Sequence, residues 1–193
     1  LQDQVDNKQE LVDKLVRINR VAKVVKGGRN LTFNAMVVVG DGNGNVGAAL
    51  GKAGAVPDAV RKGTAYAKKA MTHVELNGPT IPHEITTKFS GAKVLLKPAA
   101  PGTGVIAGGA ARQVLEAAGV KDILAKSLGS PTHLNVAKAT LNGLLAQRTP
   151  ESVSKVRGKK QSDIAPPGLI KAYEKTEAER KVGKQEVVED VKN

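Results

Sequence analysis

The sequence predicts an α+β chain in two domains, on three observations. Strand-like runs rich in β-branched residues lie at 21–25 and 31–39, and a turn separates the second from a further strand at 46–50. Stretches with helical apolar spacing follow them rather than alternating one for one. A turn-rich stretch, Asn77-Gly78-Pro79-Thr80-Ile81-Pro82, separates a first group of elements from a second. The domains expected are a loose, mixed-charge arm at 1–13, a first domain at 14–73, a second at 74–149, and a tail at 150–193.

The first strand is expected over 15–25. Lys26-Gly27-Gly28-Arg29-Asn30 then forms a loop whose paired glycines leave backbone amides uncovered by side chains. The second strand is expected over 34–39 and the third over 46–50. Between them Gly40-Asp41-Gly42-Asn43-Gly44-Asn45 holds residues that tolerate positive φ. A helix follows, with Pro57 in its first turn and Asp58 at the positive end of its dipole. Val60, Thr64, Ala67 and Met71 give it one apolar face. In the second domain, strands are expected over 84–89, 92–97 and 122–128. Helices are expected over 110–118, ended by Gly119, and 133–147, with Leu134, Ala137, Leu141, Leu144 and Leu145 inward. Residues 174–189 have helical composition with little apolar face, so a flexible or partner-ordered extension is expected there.

Charge narrows the function. Thirty Lys and Arg stand against 18 Asp and Glu, a net of +12. The tail is nearly neutral, with 10 basic and 8 acidic residues over 151–193, so the excess belongs to the folded part. Such a balance attracts polyanions. Arg17, Arg20, Lys23, Lys26 and Arg29 recur every third residue with no acid among them, and Asn19, Gly27, Gly28, Asn30 and Lys52 sit beside or within the series. A cationic ribbon tied to a sheet suits nucleic acid, and phosphate contact is expected from these residues. Arg61 and Lys68, with Lys62 and Lys69, add two cationic rows on the helix. The bland alternatives are a soluble hairpin turn and a solvated helix face. The only aromatics are Phe33, Tyr66, Phe89 and Tyr173, too few for base stacking to dominate. Phosphate, sugar and groove shape are left to carry recognition.

Other classes fail on their own residues. There is no Cys, so disulfides, thiolate catalysis and cysteine zinc sites are excluded. No stretch reaches the roughly 18–20 apolar residues of a membrane span. Residues 1–10 are polar, unlike a signal peptide. A calcium loop at Asp41 has Val46 where Gly belongs and Lys52 where Glu belongs. A P-loop at Gly51-Lys52 has Ala53 where Ser or Thr must hold magnesium. His83-Glu84 has Thr87 where a second His is needed; His73 and His133 lack companion ligands. The strongest enzyme-like match is Gly102-Thr103-Gly104-Val105-Ile106-Ala107, with Asp122 twenty residues on. Pro98 to Pro101 separate those glycines from the strand end, and no repeated strand-helix units surround them. No catalysis, cofactor or metal is expected.

Several motifs run in one order: Lys26-Gly27-Gly28-Arg29, Phe33-Asn34-Ala35, Val38-Val39-Gly40-Asp41, Gly44-Asn45-Val46-Gly47, Gly51-Lys52-Ala53, Val56-Pro57, Lys97-Pro98-Ala99 and Gly102-Thr103-Gly104-Val105-Ile106-Ala107-Gly108-Gly109. Together, over about 11–148, they closely resemble bacterial small-subunit ribosomal protein five. The resemblance implies a first domain like a double-stranded-RNA-binding fold. It implies a β-β-α-β-α second domain with a left-handed crossover, an exception to the usual handedness. It also implies 16S rRNA binding at the head–body junction near the mRNA entry path, with influence on decoding accuracy and subunit assembly. Small-subunit ribosomal proteins four and eight would be neighbours, and the place a small ribosomal subunit, cytoplasmic or organellar. The loop at 26–30 would reach head-side rRNA, and 102–109 would be a structural loop. The family often carries aromatics near Leu31 and around 48–50; this chain is aliphatic there, so no ring stacking is carried over. A free regulatory RNA-binding module and a nucleotide enzyme are the rival readings.

Overall fold

The computed structural model describes residues 11–164 together with 167, 168, 170 and 171. The expectation for 174–189, most of the arm and Tyr173 lie outside them. Strands β1 (Val12–Val25), β2 (Gly28–Gly40), β3 (Asn45–Ala53) and the short β4 (Thr72–His73) form an antiparallel sheet in that order. Helix α1 (Val56–Lys69) connects β3 to β4. The second sheet runs β5 (Ile85–Phe89), β6 (Ala92–Pro98), β8 (Ile123–Ser127), β7 (Val105–Ile106). Only the β7–β8 pair is parallel among the described strands, and α2 (Gly109–Ala117) links its members. Helices α3 (His133–Leu145) and α4 (Pro150–Arg157) follow, then a 3-10 turn at Gln161–Asp163.

The run Ala35 to Val39 carries no polar residue because its strand is covered on both sides. Ala35, Val37 and Val39 face α1, packing with Ala59 and Ala67. Met36 and Val38 face the other way, into a core shared with Val94, Leu96, Val114, Leu115, Ile123 and Leu144 of the second half. All five residues of the run are at most 2% exposed. Helices α2 and α3 therefore lie between the two sheets, while α1 covers the outside of the first.

Two close approaches set this stacking. A Cβ at Gly51 would fall 1.9 Å from the Ala59 carbonyl oxygen, and one at Gly47 2.2 Å from that of Ala67. The α1 backbone thus rests directly on β3. Small residues make this possible, and they turn the helix from the expected face. Ala59, Gly63 and Ala67 are buried, whereas Val60, Thr64 and Met71 are half-buried. The second approach joins the two halves. The turn after β2 donates Gly42 N–H to the Ala117 carbonyl (3.1 Å) and Gly44 N–H to that of Ala118 (3.0 Å). These are α2 carbonyls with no partner inside the helix. Asp41 shapes the turn, its Oδ1 accepting from the amides of Asn43 (2.8 Å) and Asn45 (3.0 Å). Gly40 and Gly119 leave the room: a Cβ at Gly40 would lie 2.0 Å from the Ala117 oxygen, one at Gly119 1.9 Å from the Gly42 oxygen. A Lys14–Glu116 ion pair spans the same junction.

Several expectations change. β1 starts at Val12, so Val12 and Asp13, expected in the arm, pair with Gly40 and Val39. The loop expected over 26–30 shrinks to the two-residue turn Lys26-Gly27, and Gly28 to Asn30 already belong to β2. β3 runs three residues past its expected end. β4 and β7, two residues each, carry too little pattern to be seen in sequence. Leu145, expected inward, is 41% exposed, while Val136, Ala139, Thr140 and Gly143 are buried in its stead. The tail begins with α4, capped by Thr149, whose side chain accepts from Ser152 N–H at 3.2 Å, and ended by left-handed Gly158.

The approach of α1 to β3 gives a direct test. Gly51→Ala should destabilise the protein by about 1–3 kcal/mol, because the blocking atoms are helix backbone. Gly54→Ala, with nothing within 4 Å of its Cβ, should be neutral or slightly stabilising. Thermal unfolding of the two variants compares them; equal midpoints would refute the close approach.

Candidate nucleic-acid interface

β1 and β2 outrun the rest of their sheet. β3 pairs with β2 only from Phe33 to Gly40, so the pairs from Val21–Thr32 to Val25–Gly28 have no third strand. A two-stranded ribbon about 17 Å long stands out there. Residues 22–31 are all exposed. Between Arg17 and Asn34 the ribbon holds five cations and no acid. At its tip, Val25 pairs with Gly28 across Lys26-Gly27, and Gly28 takes φ +147°. A Cβ on Gly27 or Gly28 would meet nothing within 4 Å. Among the described residues nothing packs against Gly27 so as to require glycine.

The cations do not form one row. Alternate strand residues share a face, so a spacing of three alternates faces. Arg17, Asn19, Lys23 and Asn30 lie on the side toward α2 and α3, and Lys52 joins them from β3, opposite Asn34. Arg20 and Arg29 lie on the α1 side, where Arg20 pairs with Phe33 and Arg29 with Val24. Lys26 caps the tip. Arg61, Lys62, Lys68 and Lys69 are exposed on α1, beyond that second face. Arg61 is tied to Asp58 at 3.1 Å, a loose exposed pair. The expected site residues therefore fall into two groups separated by the sheet, joined only around the tip.

Sequence reasoning missed residues of two kinds. Thr32 and Asn34 share the face of Asn19 and Asn30, and a plain alternation count from Asn30 would have found them. Lys88, Lys93, Lys97 and Lys126 stand exposed on the second sheet. Lys93, Lys97 and Lys126 surround a shallow apolar floor of Leu95, Leu124 and Ile106 with Lys88 beyond, and Lys97 is held by Glu84 at 3.3 Å. No single stretch of sequence concentrates these lysines.

Rings play little part in the ribbon. Phe33 is half-buried against α1, and Phe89 lies under the Lys138 ammonium at 5.2 Å. Tyr66, on α1, is 54% exposed. The ribbon offers charge, amides, a hydroxyl and bare backbone.

The enzyme-like stretch has a structural job. Gly104 N–H donates to Asp122 Oδ1 at 2.8 Å, and Ile123 N–H to the Gly104 carbonyl at 3.1 Å. Asp122 is buried by this contact and by its own amide bond to the Pro79 carbonyl. β7 intervenes between the glycines and α2, so the first two glycines do not open the helix as a dinucleotide site requires. His73 Nδ1 pairs with Asn45 Oδ1 at 3.0 Å, and His83 Nε2 accepts from Arg148 N–H at 3.2 Å. Among the described residues no group of His, Asp or Glu is arranged to hold a metal ion, and no helix is long and apolar enough to cross a membrane.

Two family models match this chain, one on each half. The family model described as "Ribosomal protein S5, N-terminal domain" matches residues 11–75, and that described as "Ribosomal protein S5, C-terminal domain" matches residues 87–157. The small ribosomal subunit protein uS5 of Syntrophobacter fumaroxidans (strain DSM 10017 / MPOB) is 57% identical over 155 residues, covering 80% of this chain and 93% of that protein. The chain belongs to the ribosomal protein S5 family, a structural and non-enzymatic constituent of the small ribosomal subunit.

Proposed function

We propose that this chain binds 16S rRNA at the head–body junction of the small subunit, near the mRNA entry path. There it supports assembly and decoding accuracy. The observation that carries this reading is the ribbon: exposed on both faces, acid-free, and tipped by glycines that no internal packing explains. Arg17, Arg20, Lys23, Lys26 and Arg29 neutralise phosphates. Gly27 and Gly28 let the main chain close on the backbone. Asn19, Asn30 and Lys52 extend the contact toward the sheet, and Arg61, Lys62, Lys68 and Lys69 form a separate, outer contact on α1. The arm, shortened by the pairing of Val12 and Asp13 in β1, the first domain up to 73, the second at 74–149, and the tail at 150–193 are the working units, supported by strands of the two sheets falling on either side of 73. Small-subunit ribosomal proteins four and eight are the protein neighbours, and the ribosome is a cytoplasmic one of bacterial type. An organellar ribosome would show the same chemistry.

Salt tests the phosphate assignment. Arg29→Ala should flatten the log–log dependence of rRNA affinity on salt by about 0.7–0.9. An unchanged slope removes Arg29 from the contact. Gly27→Ala should leave the melting temperature unchanged, since its Cβ would point into open space. It should still weaken rRNA binding, by filling the gap between backbone and phosphate; equal affinity would show that bare backbone is not needed there. Finally, the protein should co-sediment with small subunits after a high-salt wash. A free regulatory module would remain in the supernatant.

A further inference from the structure

The ribbon's two faces differ in more than the number of their charges. On the side toward α2 and α3, Asn19 pairs with Asn34, Val21 with Thr32, and Lys23 with Asn30. On the α1 side, Arg20 pairs with Phe33, Ala22 with Leu31, and Val24 with Arg29. Every neutral hydrogen-bonding side chain between Arg17 and Asn34 therefore lies on the first face, and none on the second. The right-handed twist of a two-stranded ribbon rolls the faces around its axis but does not mix them.

We infer that the amide face is the one that recognises RNA as RNA, through ribose 2′-hydroxyls and base edges, while the arginine–aliphatic face supplies charge alone. The inference rests on the rRNA-binding role proposed above and assigns its discrimination to one side of the ribbon. A guanidinium or ammonium neutralises a phosphate equally well in RNA and DNA. The 2′-hydroxyl is what distinguishes them, and it both donates and accepts. Asn and Thr side chains also do both, whereas Arg and Lys only donate. The second face has no side-chain acceptor at all, so a 2′-hydroxyl pressed against it would lose its donor bond to water without replacement. That face instead exposes Val24 at 73% and Leu31 at 45%. The first face has acceptors at Asn19, Asn30 and Thr32, with the charges of Arg17, Lys23 and Lys52 among them to hold the strand.

The test uses the full chain and two probes, a 16S rRNA fragment spanning the head–body junction and DNA of the same sequence. Affinity is measured over a range of KCl concentrations. The triple variant Asn19→Ala, Asn30→Ala, Thr32→Val changes no charge. It should keep the wild-type salt slope and lower the RNA-over-DNA affinity ratio about tenfold or more, the loss of several hydrogen bonds. The pair Arg20→Ala, Arg29→Ala should flatten the slope by about 1.4–1.8 and keep the ratio. Circular dichroism checks the fold, and Asn30→Ala alone, at an exposed position, serves if the triple variant misfolds; its smaller drop in ratio must have the same sign. A triple variant with the wild-type ratio, or an arginine pair that abolishes the ratio, overturns the inference while leaving the ribbon as the site. Ribbon variants that change nothing on an rRNA-binding protein overturn both the inference and the site. A wild-type chain that does not bind the RNA probe refutes the proposed function itself.

Discussion

The fold depends on backbone meeting backbone where a Cβ would not fit. The Gly40–Asn45 turn places two amides on the last carbonyls of α2, and Gly40 and Gly119 clear the space. This contact does two things at once. It satisfies helix-end carbonyls that would otherwise lie buried without partners, a cost of about 1–3 kcal/mol each. It also fixes the second sheet's helices against the underside of the first sheet, so that Met36 and Val38 share a core with Val94 and Leu96. The glycines of β3 do the same for α1 on the other face. A strand run with no polar position, Ala35 to Val39, is the consequence of being closed from both sides.

That closure is also why the ribbon can be long. An isolated two-stranded hairpin is marginal in water. Here the strands that form it continue into a sheet covered on both faces, so their register is held at the base rather than at the tip. The bulge between Leu15 and Arg17 lies within that packed base, and the projecting part begins at the Val21–Thr32 pair, where β3 has ended. The exposed end then carries charge and amides without any need to build a core. The scarcity of rings fits: Phe33 and Phe89 are both engaged inside the protein.

Much of this was legible in the sequence, and the gaps have physical causes. β-branched runs, turn residues and helix starts located nine elements, from β1 to α3 without β4 and β7, and the ordered motifs from Lys26 to Gly109 pointed to the family. Strand ends differ from expectation because ladder pairing carries polar residues such as Asp13, Asn30 and Lys52 into strands that their own propensity would exclude. The α1 face was misjudged because apolar size was taken as the guide, while close packing selected the smallest residues, Ala59 and Gly63. α4 was missed although Thr149-Pro150-Glu151 is a fair helix start; the shift in composition after Pro150 outweighed it. For the site, the residue types were visible but not their sides. A period of three looks like a stripe in a list of residues, yet on a strand it alternates between faces.

Glycine shows how far packing can explain a sequence. Gly40, Gly47, Gly51 and Gly119 are each accounted for by an atom about 2 Å from where a Cβ would sit. Gly28 is accounted for by its positive φ. Gly27 has neither reason: its φ is not positive, and a Cβ there would meet nothing within 4 Å. Gly54 is equally open, so what sets Gly27 apart is its place at the ribbon's tip. At the tip of an acid-free cationic ribbon, the partner proposed above is a polyanion, and a glycine without a side chain would let peptide amide and phosphate come closer there. The same absence of a Cβ that locks the two halves together in the interior thus leaves bare, uncovered backbone at the tip.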